Sequence, residues 1–471
     1  MMRRNTGGTV FYQAMNAGRP RQSRTSPVRR VLAFAGLFLL AACGRSETDI
    51  ETERAAQAAN PAGMSPGRGG ISRVIADAAR SPFSAVAADE SRAAEVGRDI
   101  LLAGGNAADA AVAMYFAMAV TLPSAASLGA SGACLVHNDK TKAAEAFVFP
   151  PVAAPGTIAG QAFIVPSGVR AITLMHVRHG QLRWEATVAP AERLARFGVP
   201  VSRALARDLQ GAGAALGGDR EARRIFGSGA ISEGNTLTQP ELAGTLGAIR
   251  QRGGGEFFQG QLARTLSEQV SQMGGSLPVD ALRAAIPQAS APTAESHYRR
   301  RVYVAPPPAA GAAALAGWKG QAPAGPTPVD SGGFAGLAAV DGKAGAAACT
   351  LSMGQTFGAR AVVPGVGVLL GAPAPDAGSV SPVIIANPSN GEFTFVGAGG
   401  GAATAAQATG YVAYATVEND QPLANVLTSR RGQGGWVNAI VCPSGLRGSG
   451  ASCRTAIDPA GAGLAIVASS R

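Results

Sequence analysis

From about residue 85 to the end of the chain, short apolar runs alternate with stretches of helical period. Val86-Ala87-Ala88 reads as a short strand that leads into a helix around 90–102, and Gly104-Gly105 ends that helix. Asn106 can cap the next helix, with Asp109 placed three residues on. Residues 107–120 are apolar on nearly every face, which predicts a helix buried inside the globule. A Gly/Ser-rich turn over 127–132 then leads into a strand at 133–137. Residues 186–197 and 261–273 have the spacing of amphipathic helices; in the second, Leu262, Leu266 and Met273 share a face before Gly274-Gly275 stops it. Pro306-Pro307-Pro308 opens a small-residue helix over 309–316. After about 320 the character changes. A Gly/Pro-rich loop at 319–328 gives way to strand-like runs joined at Asp341-Gly342 and Asn390-Gly391, both good hairpin turns. The pattern predicts a layered α/β protein without internal repeats.

Composition sharpens this. In a chain of 471 residues with 63 glycines and only 5% aromatics, the core must come from closely approaching backbones rather than large rings. The net charge of +11 suggests nucleic acid until its distribution is read. Arg3, Arg4, Arg19, Arg21, Arg24, Arg29 and Arg30 precede residue 43 with no acid among them, and without these seven the remainder carries +4. So weak an excess over the body implies no nucleic-acid partner. Arg299-Arg300-Arg301 is the one basic cluster in the body, and it reads as a solvated strand edge.

The N-terminus carries an address. Arg29-Arg30 precedes an apolar run over 31–42 that ends in Leu40-Ala41-Ala42-Cys43. The run is too short to span a bilayer but suits a signal-peptide core. Small residues before the cysteine resemble a bacterial lipobox, in which Cys43 is lipidated; the alternative is a plain secretory signal cleaved nearby. The long stretch before the run leaves Met15 open as the true start. Residues 44–84, with Pro61, Pro66 and Gly67 to Gly70, read as a tether. The expected location is the cell envelope on the periplasmic side, lipid-anchored.

In that oxidising setting, Cys442 and Cys453 can close a short loop, while Cys134 and Cys349 sit in apolar stretches and read as buried thiols. No Cys/His spacing suggests zinc. His176 and His179 can share a helix face, but no third ligand is near in sequence, and neither a metal nor a cofactor is expected.

Together these motifs resemble the γ-glutamyltransferase family. Gly104-Gly105-Asn106-Ala107-Ala108-Asp109-Ala110-Ala111-Val112-Ala113 looks like its GGNAxDAAVA signature. Trp184, Phe257-Phe258-Gln259-Gly260, Gly274-Gly275, Asp280-Ala281-Leu282, Pro306-Pro307-Pro308-Ala309-Ala310-Gly311, Thr356-Phe357-Gly358, Val363-Pro364-Gly365 and Asp458-Pro459 follow in family order. The resemblance implies a four-layer αββα sandwich of the N-terminal-nucleophile hydrolase class. It implies a large-subunit-like region at 85–330 and a small-subunit-like region at 331–471. Family members cut themselves before a threonine, whose hydroxyl attacks while its freed amine takes the proton, and they move the γ-glutamyl group of glutathione to water or an amino acid.

The resemblance also shows what is missing. The nucleophile opens the first small-subunit strand, about ten residues before a hairpin glycine. Counting back from Gly342 lands on Gly332, within Asp330-Ser331-Gly332-Gly333-Phe334. Three readings compete: Ser331 stands in as nucleophile, cleavage falls elsewhere such as before Thr327, or the chain neither cuts itself nor turns over. The arginine expected to bind the substrate's α-carboxylate has no counterpart in residues 147–155, and the expected asparagine falls on Gly354 or Gln355. Paired serines are reduced to Gly378-Ser379 ahead of Ser381-Pro382, and Ala460 stands where an arginine usually follows Asp-Pro. Gly400-Gly401 match the oxyanion glycines, or form a plain strand-to-helix turn. Asp376 matches an acid that grips the substrate's α-amine, or is a solvent-facing loop residue; Ser379 completes the implied substrate contacts. The implied partner is a small γ-glutamyl or peptide-like amide. The functional alternatives are an altered γ-glutamyl hydrolase or transferase using Ser331, a non-catalytic envelope binding protein on the same scaffold, and a related acylase of the same class.

Overall fold

The computed structural model describes residues 83–468, apart from 228–230, 326–330, 374–375, 377 and 447–449. Cys43, the leader and nearly all of the tether lie outside the described residues, as do Thr327 and Asp330. Up to residue 325 the two main sheets draw on β1 (Ala85–Ala88), β2 (Ser131–Asn138), β3 (Ala143–Phe149), β4 (Gln288–Ser290), β5 (Thr293–His297) and β6 (Arg300–Val304). After it come β7 (Phe334–Val340), β8 (Ala346–Ser352), β9 (Val383–Ala386), β10 (Phe393–Gly400), β11 (Trp436–Val441), β12 (Arg454–Ile457) and β13 (Leu464–Val467). One sheet has the order β13-β1-β7-β8-β2-β3-β4 and the other β12-β11-β10-β9-β6-β5. Each mixes strands from both sides of residue 330.

Four layers follow from which side of each strand is apolar. Val86, Val136, Leu337 and Leu351 join the first sheet to a helical layer that includes α1 (Ser91–Leu102), α2 (Ala107–Thr121), α3 (Gly168–His179), α4 (Trp184–Phe197) and α5 (Arg203–Leu216). The opposite faces of both sheets meet through Leu135, Ala338, Val340, Ile384, Val396 and Ile440. On the far side, Val304, Ile385 and Val437 pack under α6 (Gly311–Trp318) and α7 (Ala405–Val417). The architecture is the αββα sandwich. Small residues set its spacing: a Cβ on Gly336 would come within 2.8 Å of the Ala398 backbone, so only glycine lets the sheets approach there.

α2 is buried along its whole length, as its all-round apolarity requires. The hairpins fall at Asp341-Gly342 and Asn390-Gly391. Two expectations change. The helix after the prolines starts at Gly311 rather than 309, because the Ala310 amide is drawn to the Val380 carbonyl at 3.0 Å. The arginine triplet is not on the edge strand, which is β5. Tyr298, at φ +49°, turns the chain there, and Arg300-Arg301 open β6, one strand in.

A third correction concerns the cysteines. Cys134 and Cys349 are buried but are not thiols: their sulfurs are bonded to each other. The pairing was hidden by 215 residues of separation, and only the strand order, which sets β8 antiparallel beside β2, brings them opposite. Cys442 and Cys453 are also bonded.

Candidate active site

The entry to β7 is a tight turn. Gly332 and Gly333 both take left-handed φ, +56° and +80°, and the Phe334 amide donates back to the Ser331 carbonyl at 2.9 Å. A Cβ on Gly333 would lie 2.4 Å from the Gln355 backbone, so no other residue fits. Gly332, reached by counting back from the hairpin, therefore belongs to the turn. The residue that opens the strand is Phe334. Neither position carries a nucleophile.

Ser331 is 1% exposed. Its amide donates to Asp208 Oδ1 at 2.8 Å, and its hydroxyl accepts the Gly333 amide at 3.3 Å. Asp208, on α5, is fully buried, and Ser124 donates to its second oxygen at 2.5 Å. Burial pushes the Asp208 carboxyl up, against the hydrogen bonds from Ser124 and Ser331 and the nearby Arg207 charge. Sequence reading passed over Asp208. Its signal was a carboxylate three and four residues after Leu205 and Ala204, on the apolar stripe of a helix.

The glycine pair lies beside this turn. Gly400 ends β10 opposite Trp436, and Gly401 follows at φ +81°. The Gly401 amide donates to the Phe334 carbonyl at 3.2 Å, which occupies it in this structure. Packing accounts for both residues being glycine: a Cβ on Gly400 would meet Asp89 Oδ2 at 2.2 Å, and one on Gly401 would meet the Trp436 ring at 2.5 Å.

Asp89 sits beneath them, 3% exposed. It accepts from Asn438 Nδ2 and from the Gly336 amide, each at 2.7 Å. Burial nevertheless raises its carboxyl from 3.8 to about 6. Arg207 stacks over Trp436 at 4.4 Å and donates to the carbonyl of Ala460 at 3.3 Å. A guanidinium from α5 thus reaches the segment in which the resemblance expects an arginine. Asp458 is instead paired in the interior with Arg430.

The outer wall is apolar. The Phe334 ring clusters with Ala133, Val148, Ala305 and Val380. Beside them is a cavity of about 240 Å³ lined by Val148, Pro150, Pro308, Ala309 and Val380 among others. Phe147, Val148 and Phe149, in the stretch without the expected arginine, are buried in β3. Ser381 accepts the Ala305 amide and donates to the Pro382 carbonyl, both at 3.0 Å. Asp376 lies exposed in a turn, where its carbonyl accepts the Ser379 amide at 2.8 Å. Gln355 donates to the Gly358 carbonyl. His176 and His179 each face a carboxylate, Asp109 and Glu145, and among the described residues no cluster of three metal-ligating side chains occurs.

Comparison with known proteins places this geometry. A family model described as gamma-glutamyltranspeptidase matches residues 93–320. The glutathione hydrolase proenzyme of Escherichia coli (strain K12) is 31% identical over 273 residues, covering 51% of this chain and 45% of that protein. Its Pseudomonas aeruginosa counterpart is 32% identical over 264 residues, covering 51% and 47%. The chain spans less than half the length of these curated relatives. A cephalosporin acylase from Bacillus halodurans superposes with a TM-score of 0.65 at 19% identity, over 82% of this chain and 96% of that one, a likeness of fold. The family-model match ends before Ser331.

Proposed function

The chain belongs to the γ-glutamyltranspeptidase family, and on that premise we propose that it is a non-catalytic, envelope-anchored member that keeps the scaffold without the self-cleavage or the transfer. One observation carries this reading. Phe334 opens the strand on which the resemblance expects the nucleophile, and its ring is buried among Ala133, Val148, Ala305 and Val380. A phenyl ring has no attacking atom, and the apolar wall offers nothing to bind a charged α-carboxylate. Leaving such a group without its charge-assisted partner costs about 1.5–3 kcal/mol. The Gly401 amide is also spent on the Phe334 carbonyl rather than presented to an oxyanion. Anchoring through Cys43, with residues 44–84 as tether, belongs to the same proposal, as does a small amide or peptide-like ligand.

The test is a reducing gel of the purified chain together with an assay of p-nitroaniline release from γ-glutamyl-p-nitroanilide. One uncleaved band and no release above background are expected. A C-terminal fragment beginning at Ser331, with release, would overturn the reading. For the anchor, lipid label should enter the chain and be lost in Cys43→Ala; label that persists in the variant would place the lipid elsewhere.

A second reading keeps Ser331 as nucleophile, and one contact bears on it: the Ser331 amide donates to Asp208 Oδ1 at 2.8 Å. Cleavage before Ser331 would leave its new amine against Asp208. A carboxylate at that distance favours the ammonium form, and an amine held protonated is a poor base for its own hydroxyl. Asp208 therefore weighs against turnover even where Ser331 is exposed by cleavage. Ser331→Ala decides: if two bands and release do occur in the parent chain, this variant must abolish both for Ser331 to be the nucleophile.

A further inference from the structure

β2 and β8 are neighbours in the middle of the seven-stranded sheet, and their antiparallel register sets Cys134 directly opposite Cys349. Both side chains are closed to solvent, and their sulfurs are bonded. The bond spans 215 residues and crosses residue 331, the position at which the resemblance expects a family member to divide. Cys442–Cys453, by contrast, closes a separation of 11 residues within the second half alone.

The topology gives the first bond its consequence. β7 and β8 are inserted between β1 and β2, so the central sheet is a layered joint between the two halves of the chain. Backbone hydrogen bonds and buried alanines hold that joint, and among the described residues the one covalent bond across it besides the main chain is this disulfide. We propose that the Cys134–Cys349 bond makes the two halves one covalent body, acquired in an oxidising compartment, so that they stay joined whether or not the main chain is cut ahead of β7. Formation is thiol–disulfide exchange with a disulfide-bearing oxidant. Cys134 and Cys349 lose two protons and two electrons as the S–S bond forms, and the oxidant's disulfide becomes a dithiol. In a glutathione-reduced cytosol both residues remain thiols.

The experiment begins with the full chain purified after export to an oxidising compartment, denatured in iodoacetamide without reductant and digested with trypsin. The expected result is a cross-linked peptide pair carrying Cys134 and Cys349, with label on both residues only after reduction; Cys442 and Cys453 serve as the internal comparison. Label on Cys134 or Cys349 before reduction overturns the proposal. In a second arm, a protease-recognition sequence replaces residues 326–330 and the purified protein is cut there. The products should run as one band without reductant and as two with it, and Cys134→Ser should give two bands in both conditions. Two bands without reductant from the parent overturn the proposal independently. The double variant Cys134→Ser/Cys349→Ser should also melt about 6 °C lower, the effect of releasing so long a loop in a domain of this size. The outcome is separable from the non-catalytic reading: two bands from the untouched chain on a reducing gel would sink that reading and leave the disulfide intact, whereas a free Cys134 would do the reverse.

Discussion

At the N-terminus of α2, the polar groups that burial removes from water have partners. Asp109 is fully buried, and its carboxylate accepts the amides of Asn106, Gln181 and Leu182 at 3.0–3.1 Å. Asn106 accepts the Asp109 amide in return, and its own amide group donates to the His179 carbonyl at 2.7 Å. Burial works to raise the Asp109 carboxyl, but the His176 side chain and these amides outweigh it and hold it below the usual carboxylate range. At the mouth of β7 the outcome is reversed. Asp89 and Asp208 keep raised affinities for protons despite their hydrogen bonds, and an apolar ring fills the space where chemistry is expected. The signature over residues 104–113 is thus a joint between α1, α2 and the turn after α3. The residues that carry the family resemblance and the turn at which its chemistry is expected lie in different parts of the fold.

Asp109→Ala gives the largest expected effect, because it removes the buried acceptor shared by three backbone amides. The cost should be about 3–5 kcal/mol, read from urea denaturation; a loss below 1 kcal/mol would mean that water or another acceptor replaces the carboxylate. Phe334→Ala comes next. A ring packed as core should cost about 3–4 kcal/mol on removal, whereas an obstruction in a functional cleft should cost little or stabilise. Phe334→Thr sharpens the contrast: no cleavage is expected, and a cut ahead of residue 334 would show that one substitution separates this chain from a self-processing relative.

The third effect depends on pH. Asp89 titrates at about 6 in the fold against 3.8 when exposed, so the unfolded chain gives up its proton first. Its contribution to stability is therefore present below about pH 4 and is lost as the pH rises to about 6, some 3 kcal/mol in total. Asp89→Asn should remove that slope, measured as the difference between parent and variant in urea midpoints at pH 4 and pH 7. An unchanged difference would assign the slope to other buried acids, of which Asp208 acts in the same direction. The smallest effect is Ser331→Ala. Its amide still reaches Asp208, so only the hydroxyl's contacts are lost, about 1 kcal/mol, with no change in banding on a gel.

Periodicity and punctuation were enough for part of the local structure. The buried α2, the cap at Asn106, the hairpins at Asp341-Gly342 and Asn390-Gly391 and the helices near 184–197 and 261–272 follow from spacing, because side-chain period and turn chemistry are properties of neighbouring residues. The abundance of glycine and alanine likewise anticipated close sheets, seen at Gly336 against Ala398. Ordered motifs were enough for the family and, through it, the four layers.

The site was legible only as a set of gaps. That Gly332 belongs to a turn and Phe334 to the strand rests on the Phe334 amide turning back to Ser331 and on Phe334 pairing with Ser352, which no local count reveals. Asp208 faces Ser331 across 123 residues, Asn438 faces Asp89 across 349, and Cys134 meets Cys349 across 215. These pairings are fixed by strand order and by where α5 places Asp208. Sequence determines which residues are apolar, which can turn and which can carry charge. Only the tertiary structure decides which of them share a dielectric environment and a hydrogen bond, because both depend on distances set by the whole packed chain.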